Sequence, residues 1–163
     1  MCGIAGYWGN GNEHILNDMV DSVSYRGPDD KGTFVQGKVG LAQRRLSIID
    51  LSQGGHQPMS NKDGTIWIVF NGEIYNYKTL REELSAKYTF KSESDTEVII
   101  HLYEEIGEEV FSRLQGMFAI SLFDIKRNKL FLARDRMGKK PLYWSHSDEV
   151  FLFGSELKVL MKH

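Results

Sequence analysis

Cys2 is the only cysteine in the chain, and removal of the initiator Met1 would place its thiol and a free α-amine on one residue. A thiol becomes a strong nucleophile once deprotonated, and an α-amine of pKa about 7.7 to 8 is suited to take that proton. Processing alone would then assemble nucleophile and base, the equipment for cleaving an amide through a covalent acyl intermediate. A small second residue suits the clipping of Met1, and Gly3 leaves the backbone free to turn tightly beside the sulfur. The competing reading is that a lone cysteine is a small buried hydrophobe. The five histidines, His14, His56, His101, His146 and His163, show no metal-ligand spacing, so no metal site is expected. His101 lies one helical turn from Glu97 and Glu105, where a solvated ion pair accounts for it.

The elements that would hold such chemistry follow from periodicity. Gly3 to Trp8 reads as a strand, and Glu13 to Val23 as a helix with Ile15, Leu16, Met19 and Val23 at helical spacing. Arg26-Gly27-Pro28-Asp29-Asp30 breaks that period as a loop. Strands are expected at Gly32 to Val35, Val39 to Arg44 and Ile66 to Phe70. Helices are expected at Tyr77 to Lys87, Thr96 to Ile106 and Glu108 to Leu114, followed by strands at Met117 to Phe123, Lys129 to Ala133, Pro141 to Ser145 and Val150 to Phe153. This order argues for α+β layering of antiparallel sheets rather than alternating βαβ units. The run from Met117 to Phe123 is apolar at nearly every position, which fits a strand covered on both faces. The aromatic residues Phe118, Phe123, Phe131, Tyr143, Trp144, Phe151 and Phe153 are expected in the core.

With 163 residues, 41% hydrophobic and 26% charged, the chain can bury one good core, so a single domain over residues 1–163 is expected. A net charge of −2 and no basic run beyond Lys139-Lys140 give no electrostatic case for nucleic acid. No apolar stretch approaches a membrane span, and the N-terminus lacks the regions of a signal peptide. A single cysteine forms no internal disulfide, so a cytoplasmic setting is expected.

Several blocks resemble the glutaminase domain of glutamine-hydrolysing asparagine synthetases. They are Met1-Cys2-Gly3-Ile4-Ala5-Gly6, Arg26-Gly27-Pro28-Asp29, Arg45-Leu46-Ser47-Ile48-Ile49-Asp50 and Asn71-Gly72-Glu73-Ile74-Tyr75-Asn76. Ser94-Asp95-Thr96-Glu97, Gly116-Met117-Phe118-Ala119 and the run from Arg134 to Tyr143 continue the match in order. The resemblance implies a class II glutamine amidotransferase domain with the four-layer αββα sandwich of N-terminal-nucleophile hydrolases. It implies hydrolysis of L-glutamine through a Cys2 thioester, with ammonia handed to an amide-forming synthetase.

The resemblance assigns the oxyanion donors to the Asn71 side chain and the Gly72 N–H, where a bare backbone could approach the substrate closely. It assigns the substrate α-carboxylate to Arg45, whose planar fork can make two parallel hydrogen bonds, and the α-ammonium to Asp95, with Glu73 as a further contact. Each has a plainer alternative. Asn71-Gly72 has the form of a hairpin turn, Arg45 that of a strand arginine covering apolar neighbours, and Ser94-Asp95-Thr96-Glu97 that of a helix capping box. The Arg26 to Asp29 segment is either a mobile lid or a fixed turn, and carries no assigned role.

Gln43 stands where many members of the family carry histidine. The family continues beyond the equivalent of His163 into further strands and an ATP-using synthetase domain. ATP and magnesium are therefore expected only there, with no cofactor in this chain. The expected partners are L-glutamine and a synthetase domain or subunit, with a homodimer also considered. Arg134 to Tyr143 and Ser155 to Lys158, with Met137, Leu142, Val159 and Leu160, are the expected docking face. The alternatives are a non-catalytic glutamine-binding or interaction module and an amidase for a different amide.

Overall fold

The structure, a computed structural model, describes residues 1–47 and 53–163; Ile48, Ile49 and Asp50 of the Arg45 run lie outside the described residues. The chain passes through β1 (Gly3–Gly9), α1 (Glu13–Asp21), β2 (Asp30–Gln36), β3 (Val39–Arg45), β4 (Met59–Ser60) and β5 (Ile66–Ile74). It continues through α2 (Tyr77–Leu84), α3 (Asp95–Ile106), α4 (Val110–Arg113), β6 (Gly116–Asp124), β7 (Lys129–Arg134), β8 (Tyr143–His146), β9 (Val150–Gly154) and α5 (Leu157–Leu160). The strands form two antiparallel sheets, ordered β2-β3-β1-β9-β8 and β4-β5-β6-β7.

Successive side chains of a strand point to opposite faces, and this alternation sorts the core into three apolar layers. Ile4, Val39, Leu41, Val69, Ala119, Phe123 and Phe153 meet between the sheets. On the outer face of the first sheet, Ala5, Tyr7 and Ala42 pack against Leu16, Met19 and Val20 of α1 and Val159 of α5. On the outer face of the second, Ile68, Phe70, Phe118, Ile120 and Leu122 pack against Leu80, Val98, Ile99, Leu102 and Val110. Helices therefore cover both sheets, giving the expected four αββα layers. β6 contributes to two of the three apolar layers, which is why its sequence shows no polar alternation.

Several boundaries differ from expectation. β5 does not stop at Phe70 but runs to Ile74, pairing Asn71 with Ala119 and Gly72 with Phe118. Asn71-Gly72 is thus an extended ladder segment rather than a hairpin turn, because tertiary pairing overrides the local turn signal. Tyr143 and Trp144 are 43% and 65% exposed rather than core, since β8 is the edge of its sheet. The short helix α5 carries too few residues to show a period, and it buries Val159 against β1 and α1. Val159 is therefore no part of an exposed face, and Leu142 packs against the layer between the sheets, whereas Met137 is exposed. Among the described residues no helix is long and apolar enough to cross a membrane.

Candidate active site

At one end of the inter-sheet layer the alternation continues, but the side chains turn polar. Inward-facing Ile4 of β1 is preceded by Cys2. Leu41 of β3 is followed by Gln43 and Arg45, Val69 of β5 by Asn71 and Glu73, and Ala119 of β6 is preceded by Met117. The registers Ile4↔Gln43, Asn71↔Ala119 and Glu73↔Met117 set these positions opposite one another. Cys2, Arg45, Asn71, Gly72, Glu73 and Asp95, all six residues singled out in the sequence, line one pocket there.

The end of a short strand opens the wall of this pocket. β4 pairs only with Trp67 and Ile68, so among the described residues β5 has no strand neighbour on that side from Phe70 onward. Even-numbered residues of β5 direct their backbone groups to this side, as the bond from Asn61 N–H to Ile66 O shows, whereas Tyr75 N–H turns the other way to Gln115 O. Side chains stand in for the missing strand. Phe70 N–H donates to Gln57 Oε1 at 2.7 Å, Phe70 O accepts from Gln43 Nε2 at 2.6 Å, and Ile74 N–H donates to Asp95 Oδ2 at 2.9 Å. Gly72 lies between these clamped positions on the same edge, so its N–H faces the pocket. A Cβ at Gly72 would stand 2.1 Å from Met117 O. The close approach of β6 by itself requires glycine here.

Asn71 is 1% exposed, and among the described residues its buried Nδ2 has no hydrogen-bond partner. A buried donor left unpaired is costly, and such groups concentrate where a ligand supplies the partner. Cys2 is half-buried, with Leu46 N–H 3.4 Å from its sulfur. Arg45 is buried, and its guanidinium lies against Gly55, where a methyl group would stand 1.9 Å from Nη2. Asp95 is also buried, which pushes its carboxyl up to about 6; the nearby charge of Glu73 adds to this and the N–H groups of Ile74 and Thr96 oppose it.

The capping box forms only in half. Ser94 Oγ accepts from Thr96 N–H at 3.1 Å, but Glu97 turns back to the N–H groups of Lys91 and Ser92, both at 2.8 Å. Asp95 thus has its own contact, across to β5. His101 does not form the expected solvated pair with Glu97 and Glu105. Its side chain is 12% exposed and sits between Glu97 and Glu104, while Glu105 is taken by Lys87. The Arg26 to Asp29 segment is tied at both ends: Arg26 Nε donates to Cys2 O at 3.0 Å, and Asp29 Oδ2 accepts from Ser47 N–H at 2.8 Å.

Other residues that line the pocket were not singled out as site residues in the sequence, among them Gln43, Gly55, Gln57 and Lys140. Gln43, noted only as a departure, is 1% exposed and could have been found by carrying the alternation past Leu41. Gly55, Gln57 and Lys140 lie in connecting segments with no local signal. Among the described residues no cluster of histidine, cysteine or carboxylate side chains is placed to hold a metal ion.

Two sheets covered by helices, with the first strand leading from a cysteine at the mouth of the inter-sheet pocket, make this an N-terminal-nucleophile hydrolase fold. The glutamine phosphoribosylpyrophosphate amidotransferase of B. subtilis, solved with ADP and GMP, superposes with a TM-score of 0.83 at 22% identity, over 98% of this chain and 43% of that one. The chain belongs to the glutamine amidotransferase domain family, whose model matches residues 1–163. It is 50% identical over 150 residues to "asparagine synthetase [glutamine-hydrolyzing] 2" of Bacillus subtilis, covering 92% of this chain and 20% of that protein. It is 46% identical to the protein numbered 1 of the same name and organism, over 99% of this chain and 27% of the relative. The chain therefore spans about a quarter or less of the length of these relatives.

Proposed function

We propose that this chain hydrolyses the side-chain amide of L-glutamine to glutamate and ammonia, using Cys2 as the nucleophile after removal of Met1. The freed α-amine takes the thiol proton, and the sulfur attacks the amide carbon. The negative charge on the carbonyl oxygen is met by Asn71 Nδ2 and the Gly72 N–H. Collapse breaks the carbon–nitrogen bond, and the protonated amine returns its proton to the departing ammonia. Water then attacks the thioester, passing a proton to the amine, and glutamate leaves with the thiol restored. Arg45 pairs with the substrate α-carboxylate, and Asp95, with Glu73 beside it, pairs with the α-ammonium.

The observation that carries this reading is the buried Asn71 Nδ2, without a hydrogen-bond partner among the described residues, in the same pocket as Cys2. The purified, processed chain should release ammonia from L-glutamine but not from its N-acetyl derivative, which lacks the α-ammonium. Equal release from both would leave Asp95 without its role.

Because the chain spans only part of its relatives, we assign the use of ammonia to an amide-forming synthetase domain or subunit, such as that of an asparagine synthetase. ATP and magnesium belong to that partner and none of the steps above uses them. Ammonia release by this chain alone should accordingly be unchanged by ATP and aspartate, because coupling requires a second site whose occupancy biases the first. The setting proposed is the cytoplasm.

A further inference from the structure

The hydrogen-bond ladders that hold β1 end before Cys2. Toward β9 the last pair is Ala5↔Gly154, and toward β3 it is Gly3↔Arg44. The two residues after β9 extend the hold. Ser155 is fully buried; its N–H donates to Ile4 O and its Oγ accepts from Ile4 N–H, both at 2.9 Å. Its side chain thus replaces the carbonyl that a further ladder pair would supply. Glu156 follows, and its Oε1 accepts from Arg26 Nη1 at 2.9 Å while Arg26 Nε donates to Cys2 O at 3.0 Å. The Arg26 side chain is only 9% exposed. The Tyr25 hydroxyl donates to the same Glu156 oxygen, and the Lys158 ammonium lies 3.4 Å from the other.

Loss of Met1 leaves Cys2 joined to the protein by one peptide bond, with its nitrogen committed to proton transfer. Its carbonyl is then the backbone group available for anchoring. A terminal residue held at one atom keeps rotational freedom, and a nucleophile that wanders from its attack geometry loses rate without losing substrate affinity. Arg26 carries five donors and is nearly buried, so without a facing carboxylate its guanidinium would turn toward other acceptors.

We propose that Glu156 is a positioning residue for Cys2, acting through Arg26 to fix the nucleophile and its amine against the pocket. The proposal rests on the hydrolase reading given above. The test is kinetic, on the processed chain, with rates expressed per mole of folded protein, the folded fraction being read from the amplitude of the thermal unfolding transition. Glu156→Gln should lower kcat about tenfold with KM for glutamine within about twofold. Arg26→Met should lower kcat at least as much, and the double variant should be no slower than Arg26→Met alone, because one residue acts through the other. If Glu156→Gln does not fold, Glu156→Asp, which withdraws the carboxylate by one methylene, should show the same split in milder form. An unchanged kcat per folded chain, a loss carried by KM, or losses that multiply in the double variant would overturn the proposal. A parent chain that releases no ammonia would overturn the hydrolase reading and this proposal with it, which sets that failure apart from the others.

Discussion

Ile74 N–H donates to Asp95 Oδ2 across 2.9 Å, tying the open edge of β5 to the first turn of α3. One carboxylate therefore closes a backbone group that β4 is too short to reach and also borders the pocket. Its burial disfavours the charged form, so holding it there costs stability that an uncharged side chain would not.

The carboxyl of Asp95 is raised to about 6 by burial, with the charge of Glu73 adding to it. A carboxyl raised in the folded state stabilises the fold most below the ordinary carboxylate range, and that contribution is lost as pH rises through about 6. Asp95→Asn, whose Oδ1 can still accept from Ile74, should thus be no less stable than the parent at pH 8 by thermal melting. Its KM for glutamine should nevertheless rise strongly. In the parent, KM should climb as pH falls through about 6, and in Asp95→Asn this dependence should disappear.

Gly55 gives Arg45 its place, since a methyl group there would stand 1.9 Å from the guanidinium. Gly55→Ala should therefore imitate a mild Arg45→Ala: both raise KM, the second by more, with kcat changed less than KM. Steady-state kinetics over a wide glutamine range distinguish this from a loss of kcat.

Asn71→Ala should act the other way. Its amide meets charge that develops during reaction, so kcat should fall on the order of 10² to 10³ while KM moves little. A kcat within a factor of a few of the parent would remove Asn71 from the oxyanion role.

Glu97 anchors the turn before α3 by accepting from Lys91 N–H, Ser92 N–H and the Ser92 hydroxyl. Burial would raise its carboxyl, but these bonds and His101 outweigh burial and hold it at about 2. The resulting stability is present above the ordinary glutamate pKa and is lost as pH falls toward about 2. Glu97→Gln should cost about 1.5 to 3 kcal/mol at neutral pH. It should also flatten the dependence of melting temperature on pH across that acid window.

Apolar periodicity made the strands and the main helices legible, and the quoted blocks pointed to six of the residues that line the pocket. What stayed hidden depends on pairing between distant segments. The end of β5 looked like a turn because of its Asn71-Gly72 dipeptide, and pairing with Met117 to Ala119, with the side chains of Gln43, Gln57 and Asp95 on its other edge, keeps it extended. Gln57 reaches the site because a loop crosses where β4 stops, which no local pattern encodes. Tyr143 and Trp144 looked like core because aromatic content reports burial poorly on an edge strand. The capping box misled in a similar way, since the residues before it offered Glu97 better donors than Ser94 N–H.

The most direct measurement compares ammonia release from L-glutamine by two samples sorted by mass spectrometry, one beginning at Cys2 and one with a residue still attached before it, alongside Cys2→Ala. The sample that begins at Cys2 should hydrolyse glutamine, and the other two should not, because one lacks the free amine and the other the thiol. Equal rates from the samples with and without the preceding residue, or activity in Cys2→Ala, would contradict an N-terminal cysteine nucleophile.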